Sequence, residues 1–441
     1  MNTSARVKLG IALLIAAIAP VASHGAASND AGEVSFVFAL YFAPAPAKDP
    51  EAELGRLLRE GNFGIRMTDK LAATDEVGVR IHWVSTAECP PPTPESFQYR
   101  AVDLTPEEGA AIAQSKRAFG LTFSAPRKRI GSANQQACSL VGDLADAIHG
   151  MPWDDECRKL YSAKRWRKER IDSWDDGLPD IRSHVTLDAY RDPDLFRIVS
   201  MGMRKFGLPD LVMSQVPAGN TRPAGNLMNA CLQALVEGAV VSQGRLQLVL
   251  TGIKHRQARA SALENPGKNA TGRVVIEFKE AEREDGDPQN ELWLLDFPDC
   301  KAPSHTERLE MALSAAFGSV DAITKIAKGD SEMAAASERA RKAFFSFETV
   351  FQKGLAPNER LMIKAPFPYG ENKEYMWVEV LAWKKDSIEG VLANDPFYVK
   401  RLKAGSRVTI PLADVYDYIH YRPDGTVEGN ETGKILEKRG Q

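Results

Sequence analysis

The sequence predicts an α+β protein of several domains in series. Short β-branched or alternating runs recur along the chain, helices with clear start signals stand between them, and 441 residues exceed what one domain usually holds. At 44% hydrophobic and 26% charged, the composition is that of folded soluble protein.

The first domain is expected over residues 33–175. Val34 to Phe42 (VSFVFALYF) is an apolar strand ended by Pro44 and Pro46. Glu51 to Glu60 comes next, with Leu54, Leu57 and Leu58 on one helical face. Val77 to Ser85 alternates Val77, Val79, Ile81 and Trp83 against Gly78, Arg80 and His82, as a half-buried strand does. Gln98 to Leu104 reads as a further strand, and Thr105-Pro106-Glu107-Glu108 as a helix start with a hydroxyl cap, proline at the first position and acids at the positive end. Leu121 to Ser124 closes the order β-α-β-β-α-β, which predicts a ferredoxin-like N-terminal domain. A helix from Ala137 to His149 and a segment bearing Trp153, Trp166 and Trp174 lead out of it.

An α+β middle domain is expected over 181–303. Its strands are His184 to Tyr190, Phe196 to Met203, Leu211 to Val216, Leu246 to Leu250, Arg273 to Lys279 and Glu291 to Phe297. Pro223 to Val241 is a helix with Leu227, Ala230, Cys231, Ala234 and Leu235 on one side. Residues 305–425 are expected to be C-terminal helices packed on a small curved antiparallel β-sheet. The helix Ser331 to Gln352 carries Ala336, Ala340, Phe344, Phe347 and Phe351 as one apolar stripe. The strands Leu361 to Ala365, Tyr375 to Trp383, Ser387 to Leu392 and Arg407 to Leu412 provide the surface it covers. Residues 426–441 form a polar tail expected to fray.

The stretch Leu361 to Tyr421 carries a set of short motifs: Lys364-Ala365-Pro366-Phe367, Met376-Trp377-Val378, Glu389-Gly390-Val391-Leu392, Asn394-Asp395-Pro396, Lys403-Ala404-Gly405-Ser406-Arg407-Val408, and Asp414 with Asp417. On these the region 331–421 resembles the YegJ-like bacterial domains of unknown function. Gly202 with Phe206-Gly207-Leu208-Pro209-Asp210 is similar to a region upstream in longer relatives of that family. The resemblance implies a fold and lends no chemistry.

Residues 1–27 have the order of a secretory signal peptide: Arg6 and Lys8, the apolar run Leu9 to Ala19, Pro20, then small residues. That run is shorter than the roughly 20 residues that span a bilayer. A soluble periplasmic or secreted protein, with no membrane insertion after signal cleavage, is the expectation; an uncleaved anchor helix is the alternative. A net charge of -3 gives no field favouring nucleic acid. Of the five cysteines, Cys138 and Cys157 flank a predicted helix and are the preferred disulfide pair.

The chain has no Walker A loop, no glycine-rich dinucleotide turn, no H-E-x-x-H and no G-x-S-x-G, so no catalytic residues, metal or cofactor are assigned. Three weaker patterns have bland readings. His184 and Asp188 could share a strand face toward a metal, or be ordinary polar residues. Asp285, Asp287 and Glu291 alternate like calcium ligands but lack the rest of a calcium loop. Lys164 to Arg170 reads as a solvated charged helix face. The C-terminal module concentrates Trp377, Trp383, Tyr398, Tyr416, Tyr418 and Tyr421, near Lys364, Asp414 and Asp417. Such rings either fill a small core or recognise a protein or peptide partner in the cell envelope. A non-catalytic binding module is the expected function; an envelope-acting hydrolase using Asp414 and Asp417, or His184 and Asp188, is the alternative.

Overall fold

Alternating apolar residues build three main sheets in the computed structural model, which describes residues 32–438 apart from 44, 69–75, 193, 265–266, 268, 319–329, 357–358, 371, 397 and 400. The expected signal segment, 1–27, lies outside the described residues.

In the first domain β1 (Glu33–Tyr41) is central. Phe36, Phe38 and Leu40 point to one side and Ala39 and Tyr41 to the other, each set into its own apolar core. The sheet runs β2 (Ile65–Met67), β3 (Val77–Ser85), β5 (Arg117–Pro126), β1, β6 (Met151–Asp154), β7 (Lys159–Tyr161), β4 (Ala101–Val102). Helices α1 (Pro50–Glu60) and α4 (Ile130–Ile148) cover the phenylalanine side. The path β1-α1-β3-β5-α4-β6 has β-α-β-β-α-β connectivity, with strands paired antiparallel in the order β3-β5-β1-β6.

Different segments fill that path from those expected. Residues 98–100 are helical, as part of α2 (Pro94–Arg100), because Thr93-Pro94 is the same start signal as Thr105-Pro106. Only the two-residue strand β4 remains of the strand expected there. The capping box at Thr105 forms, with Glu108 N donating to Thr105 Oγ1 and Thr105 N to the Glu108 carboxylate, but α3 (Pro106–Ile112) stays short. The long helix of the second half is α4. From there α5 (Ala163–Trp166) and a hairpin of β8 (Trp174–Asp175) and β9 (Leu178–Pro179) lead to the middle domain.

The middle sheet has the order β10 (Thr186–Asp192), β11 (Leu195–Met201), β12 (Asp210–Val216), β15 (Leu292–Asp296), β14 (Arg273–Glu280), β13 (Arg245–Val249). It is mixed: β12 and β15 pair in parallel, the rest antiparallel. Its core is closed by α6 (Thr221–Val236), by α7 (Arg256–Ala262) and by α8 (His305–Phe317). The helix α8, just past the expected boundary at 303, packs into this core. Leu309, Ala312, Leu313 and Ala316 recur at helical spacing and have this sheet to bury against.

The third sheet is antiparallel, in the order β19 (Arg407–Pro411), β18 (Ser387–Leu392), β17 (Asn372–Trp383), β16 (Arg360–Tyr369), β20 (Asp417–Tyr421), β21 (Val427–Gly429). Leu361, Ile363, Ala365 and Phe367 face α9 (Ser331–Phe345) and α10 (Glu348–Lys353), while Met362, Trp377, Ile419 and Tyr421 face the core of the middle domain. Gly390 lies opposite a bulge in β17, where a Cβ would stand 2.2 Å from the Glu379 carbonyl oxygen. The expected single helix 331–352 is broken at Phe347. The expected tail is ordered: α11 (Glu431–Lys438) comes after β21 and packs Ile435 against Met333 and Ala336.

Candidate functional site

The six aromatic residues concentrated in the C-terminal module fall into three environments, and Tyr421, like Trp377, faces the core of the middle domain. Trp383 is core, stacked on Phe344 with centroids 4.4 Å apart and planes 9° from parallel. Tyr418 is core too, tilted against Phe347 at 5.5 Å, its hydroxyl donating to Glu428. Trp377 lies at the seam with the middle domain, with the Lys364 ammonium 5.4 Å from its ring centre.

Tyr398 and Tyr416 are different. Tyr398 is 39% exposed and stacks flat on Tyr369, centroids 4.5 Å apart. The backbone N–H groups of Tyr398 and Val399 donate to the Glu374 carboxylate, which fixes the loop that carries the ring. Half-buried Tyr416 sits 4.4 Å from Tyr375. Tyr369 ends β16 beside Asn372, and Tyr375 lies opposite Pro366 in register. Both pairs thus flank the turn end of the β16–β17 hairpin, where Pro368, Asn372 and Lys373 are exposed. Strand alternation puts Tyr375 with Trp377 on the face opposite Met376, whereas Tyr369 shares the side of Phe367, toward the helices.

The acids proposed for hydrolysis do not converge. Asp417 is fully buried and accepts from Tyr418 N, Glu431 N, Thr432 N and the Thr432 hydroxyl, so its lone pairs are spent on holding α11. Asp414 is exposed. Nor do His184 and Asp188 share a face. His184 ends a short helical turn and is buried edge-on between Trp174 and Phe206, whereas Asp188 lies in β10 paired with Arg100 at 3.0 Å. Burial, aided by Arg170 and Lys205, lowers the His184 pKa well below its ordinary value, so the ring is neutral. Asp287 is buried against the Arg197 guanidinium and Glu291 accepts from the Trp293 indole, so neither is poised for calcium.

A second cluster was not legible as a unit in the sequence. Asp154, at the end of β6, accepts through Oδ2 from Arg170 Nε at 3.1 Å, from Arg170 Nη2 at 2.9 Å and from Lys205 Nζ at 2.5 Å; its Oδ1 accepts from Cys157 N. Arg170 Nη2 also donates to the Tyr161 hydroxyl. Lys205 Nζ lies 3.1 Å from Cys157 Sγ, and that thiol donates to the His184 carbonyl at 3.0 Å. Asp154 and Lys205 are wholly buried and Arg170 is 1% exposed.

The stretch 164–170 is therefore not uniformly solvated. Arg165 and Arg167 pair with Glu169, Asp143 and Asp146 near the surface, but Arg170 is four residues from Trp166 and shares its inward face. Lys205 arrives on the turn 203–206 between β11 and β12. Gly202 precedes it with φ +124°, and a Cβ there would meet Cys157 Sγ at 2.7 Å. Asp210 accepts from Ser200 Oγ, Met203 N and Asn290 Nδ2, and burial raises its carboxyl to about 6. The segment Gly202 to Asp210, noted in the sequence, is thus the clasp between first and middle domains.

Burial opposes ionisation of Asp154, but Lys205 and Arg170 outweigh it and hold the carboxyl below its usual range. Burial pushes the Cys157 thiol up to about 11 despite the ammonium beside it, and Cys138 up to about 12. Cys138 and Cys157 stand as separate thiols, Cys138 donating to Asn134 Oδ1 within α4 and Cys157 to the His184 carbonyl.

Among the described residues no helix is long and apolar enough to cross a membrane. No curated protein and no solved structure matches the chain. The C-terminal domain, the region in which sequence motifs pointed to a bacterial domain of unknown function, is matched over residues 330–439 by the family described as an uncharacterized protein conserved in bacteria (DUF2314).

Proposed function

We propose that this is an exported, non-catalytic binding protein whose C-terminal domain recognises a protein or peptide in the cell envelope. The observation that carries the reading is two tyrosine pairs at the turn end of one hairpin, Tyr369 stacked on Tyr398 on the helix side and Tyr375 tilted by 47° against Tyr416 on the other. Tyrosine offers large, rigid contact area at low entropy cost together with a polar tip, which is what recognition surfaces use. Trp383 and Tyr418 take no part, because the core already surrounds them.

Peptides enriched on the full-length protein from a displayed library, titrated against wild type and a Tyr398→Ala/Tyr416→Ala variant, test the reading. Loss of at least about tenfold in affinity, or 1.4 kcal/mol, is expected. Equal affinity, with the variant folded, would remove the rim from recognition. Export is tested by fractionation and N-terminal sequencing: protein in the periplasmic fraction should begin shortly after Ala27, and recovery only from the cytoplasmic fraction with residues 1–27 intact would overturn it.

A further inference from the structure

We propose that Lys205 and Cys157 form an oxidative covalent link, an N–O–S bridge that fastens the middle domain to the first. The geometry assigns this pair. Lys205 Nζ lies 3.1 Å from Cys157 Sγ, both side chains are fully buried, and the amine is fixed from its other side by Asp154 at 2.5 Å. Burial denies both groups the alternative positions that a surface lysine would sample. Gly202, whose missing side chain leaves the sulfur its space, keeps the turn bearing Lys205 pressed against the cysteine.

The chemistry closes with dioxygen as oxidant. One amine, one thiol and one O2 give the bridge and one water: R–NH2 + R′–SH + O2 → R–NH–O–S–R′ + H2O. Sulfur and nitrogen each give up two electrons, and the two oxygen atoms take up four. One oxygen atom enters the bridge, the other leaves as water with the thiol proton and one amine proton. The reacting form is the free amine, so the ammonium first releases its extra proton to water; Asp154 holds the nitrogen in place beside the sulfur. Dioxygen is small and uncharged, and Glu156 and Arg158, on either side of Cys157 in the chain, are partly exposed. The same burial disfavours a thiolate at neutral pH, which slows the ordinary ladder of sulfenic, sulfinic and sulfonic acids that begins from it.

The link would make the two domains one covalent body without any second cysteine. It is independent of the tyrosine rim, and its test does not depend on a ligand.

The experiment is mass spectrometry of the full-length protein, reduced and then held in oxygen-saturated buffer. Addition of one oxygen with loss of two hydrogens predicts a gain of about 14 Da on the intact chain, distinct from the whole-oxygen steps of cysteine acids. After digestion, the peptides carrying Cys157 and Lys205 should be recovered joined, and dithiothreitol should return both unmodified. Lys205→Arg, which keeps a cation beside Asp154, should not gain the 14 Da species. If Cys157 remains a free thiol, joins Lys205 without the oxygen, or takes up one to three oxygens while Lys205 is untouched, the proposal fails. It fails equally if the arginine variant gains the same mass. The wild-type peptide map decides even if the variant does not fold.

Discussion

The Asp154 carboxylate and the Lys205 ammonium meet at 2.5 Å across the boundary between the first and middle domains, and solvent reaches neither. Arg170 stands on the same carboxylate, so two cations share one anion. That imbalance ranks the consequences of removing each member. Lys205→Met leaves Asp154 with Arg170, a matched pair. Asp154→Asn leaves the buried Lys205 ammonium without its carboxylate and Arg170 with only Glu169 at 3.9 Å, and breaking a buried pair in this way costs about 3–5 kcal/mol. Chemical denaturation should find Asp154→Asn the more destabilised of the two. Equal losses would mean that the lysine contributes through packing and not through charge.

Phe344 is the largest fully buried side chain of α9, and it lies flat on Trp383. Phe344→Ala should cost about 3–5 kcal/mol, the range for emptying a phenylalanine site in a core. Phe347 and Phe351 are only partly buried, and their alanine variants should lose clearly less. Thermal unfolding of the full chain, monitored by tryptophan fluorescence, checks the order. A Phe347→Ala variant as damaged as Phe344→Ala would contradict the packing described.

The sheets were legible because their signals are local. Val77 to Ser85 alternates and forms β3; the run from Val34 is β1; Arg407 onward is β19. The helix stripe on Phe344 was legible, but the break at Phe347 was not, since period 3.6 continues through it in sequence. Residues 98–100 are helical because the Thr93-Pro94 start governs them. The end of the chain is ordered through 438 although its sequence is polar. Its polar residues hide one apolar contact, Ile435, and a cap supplied from Asp417 fourteen residues earlier. The charge cluster depends on long-range contacts among Asp154, Arg170 and Lys205, and no local pattern announces such contacts. The hint was Arg170 four residues after Trp166. Of the aromatic set, sequence could name the rings but not sort core Trp383 and Tyr418 from exposed Tyr398, because burial there is decided by which loop covers the sheet end.

Glu310 on α8 faces Asp395 of the C-terminal domain, whose backbone N–H points to the Glu310 carboxylate at 3.5 Å. Burial, then the Asp395 charge, raises the Glu310 carboxyl from 4.5 to about 7. Asn220 Nδ2 and Thr306 Oγ1 also face this pair, donating to Glu310 and Asp395 respectively, and Glu307 adds negative charge. Between pH 4.5 and about 7 the folded state holds a proton that the unfolded chain has released. This group's contribution to stability is therefore full below about 4.5 and lost as pH rises through about 7. Glu310→Gln removes the titration, so its stability relative to wild type should improve from pH 5 to pH 8. Melting curves of both proteins across that range measure the difference, and a difference constant with pH would show that Glu310 does not titrate there.

Asp417 is the side chain on which the end of the chain depends. Its two oxygens accept from three backbone N–H groups and the Thr432 hydroxyl, among them the first amides of α11. The helix it caps carries Ile435 onto Met333 and Ala336, so the cap also positions an apolar contact. Asp417→Ala orphans donors that are buried with Thr432, at about 1–3 kcal/mol for such a loss, in addition to about 1 kcal/mol for the missing cap. Asp417→Asn keeps one acceptor oxygen and should fall between wild type and alanine. Hydrogen exchange should show the amides of residues 431–435 protected in wild type, faster in the asparagine variant and near unprotected in alanine, while β16 and β17 keep their protection. If α11 exchanged equally slowly in all three proteins, the apolar contact would be holding the helix and the carboxylate would be incidental to it.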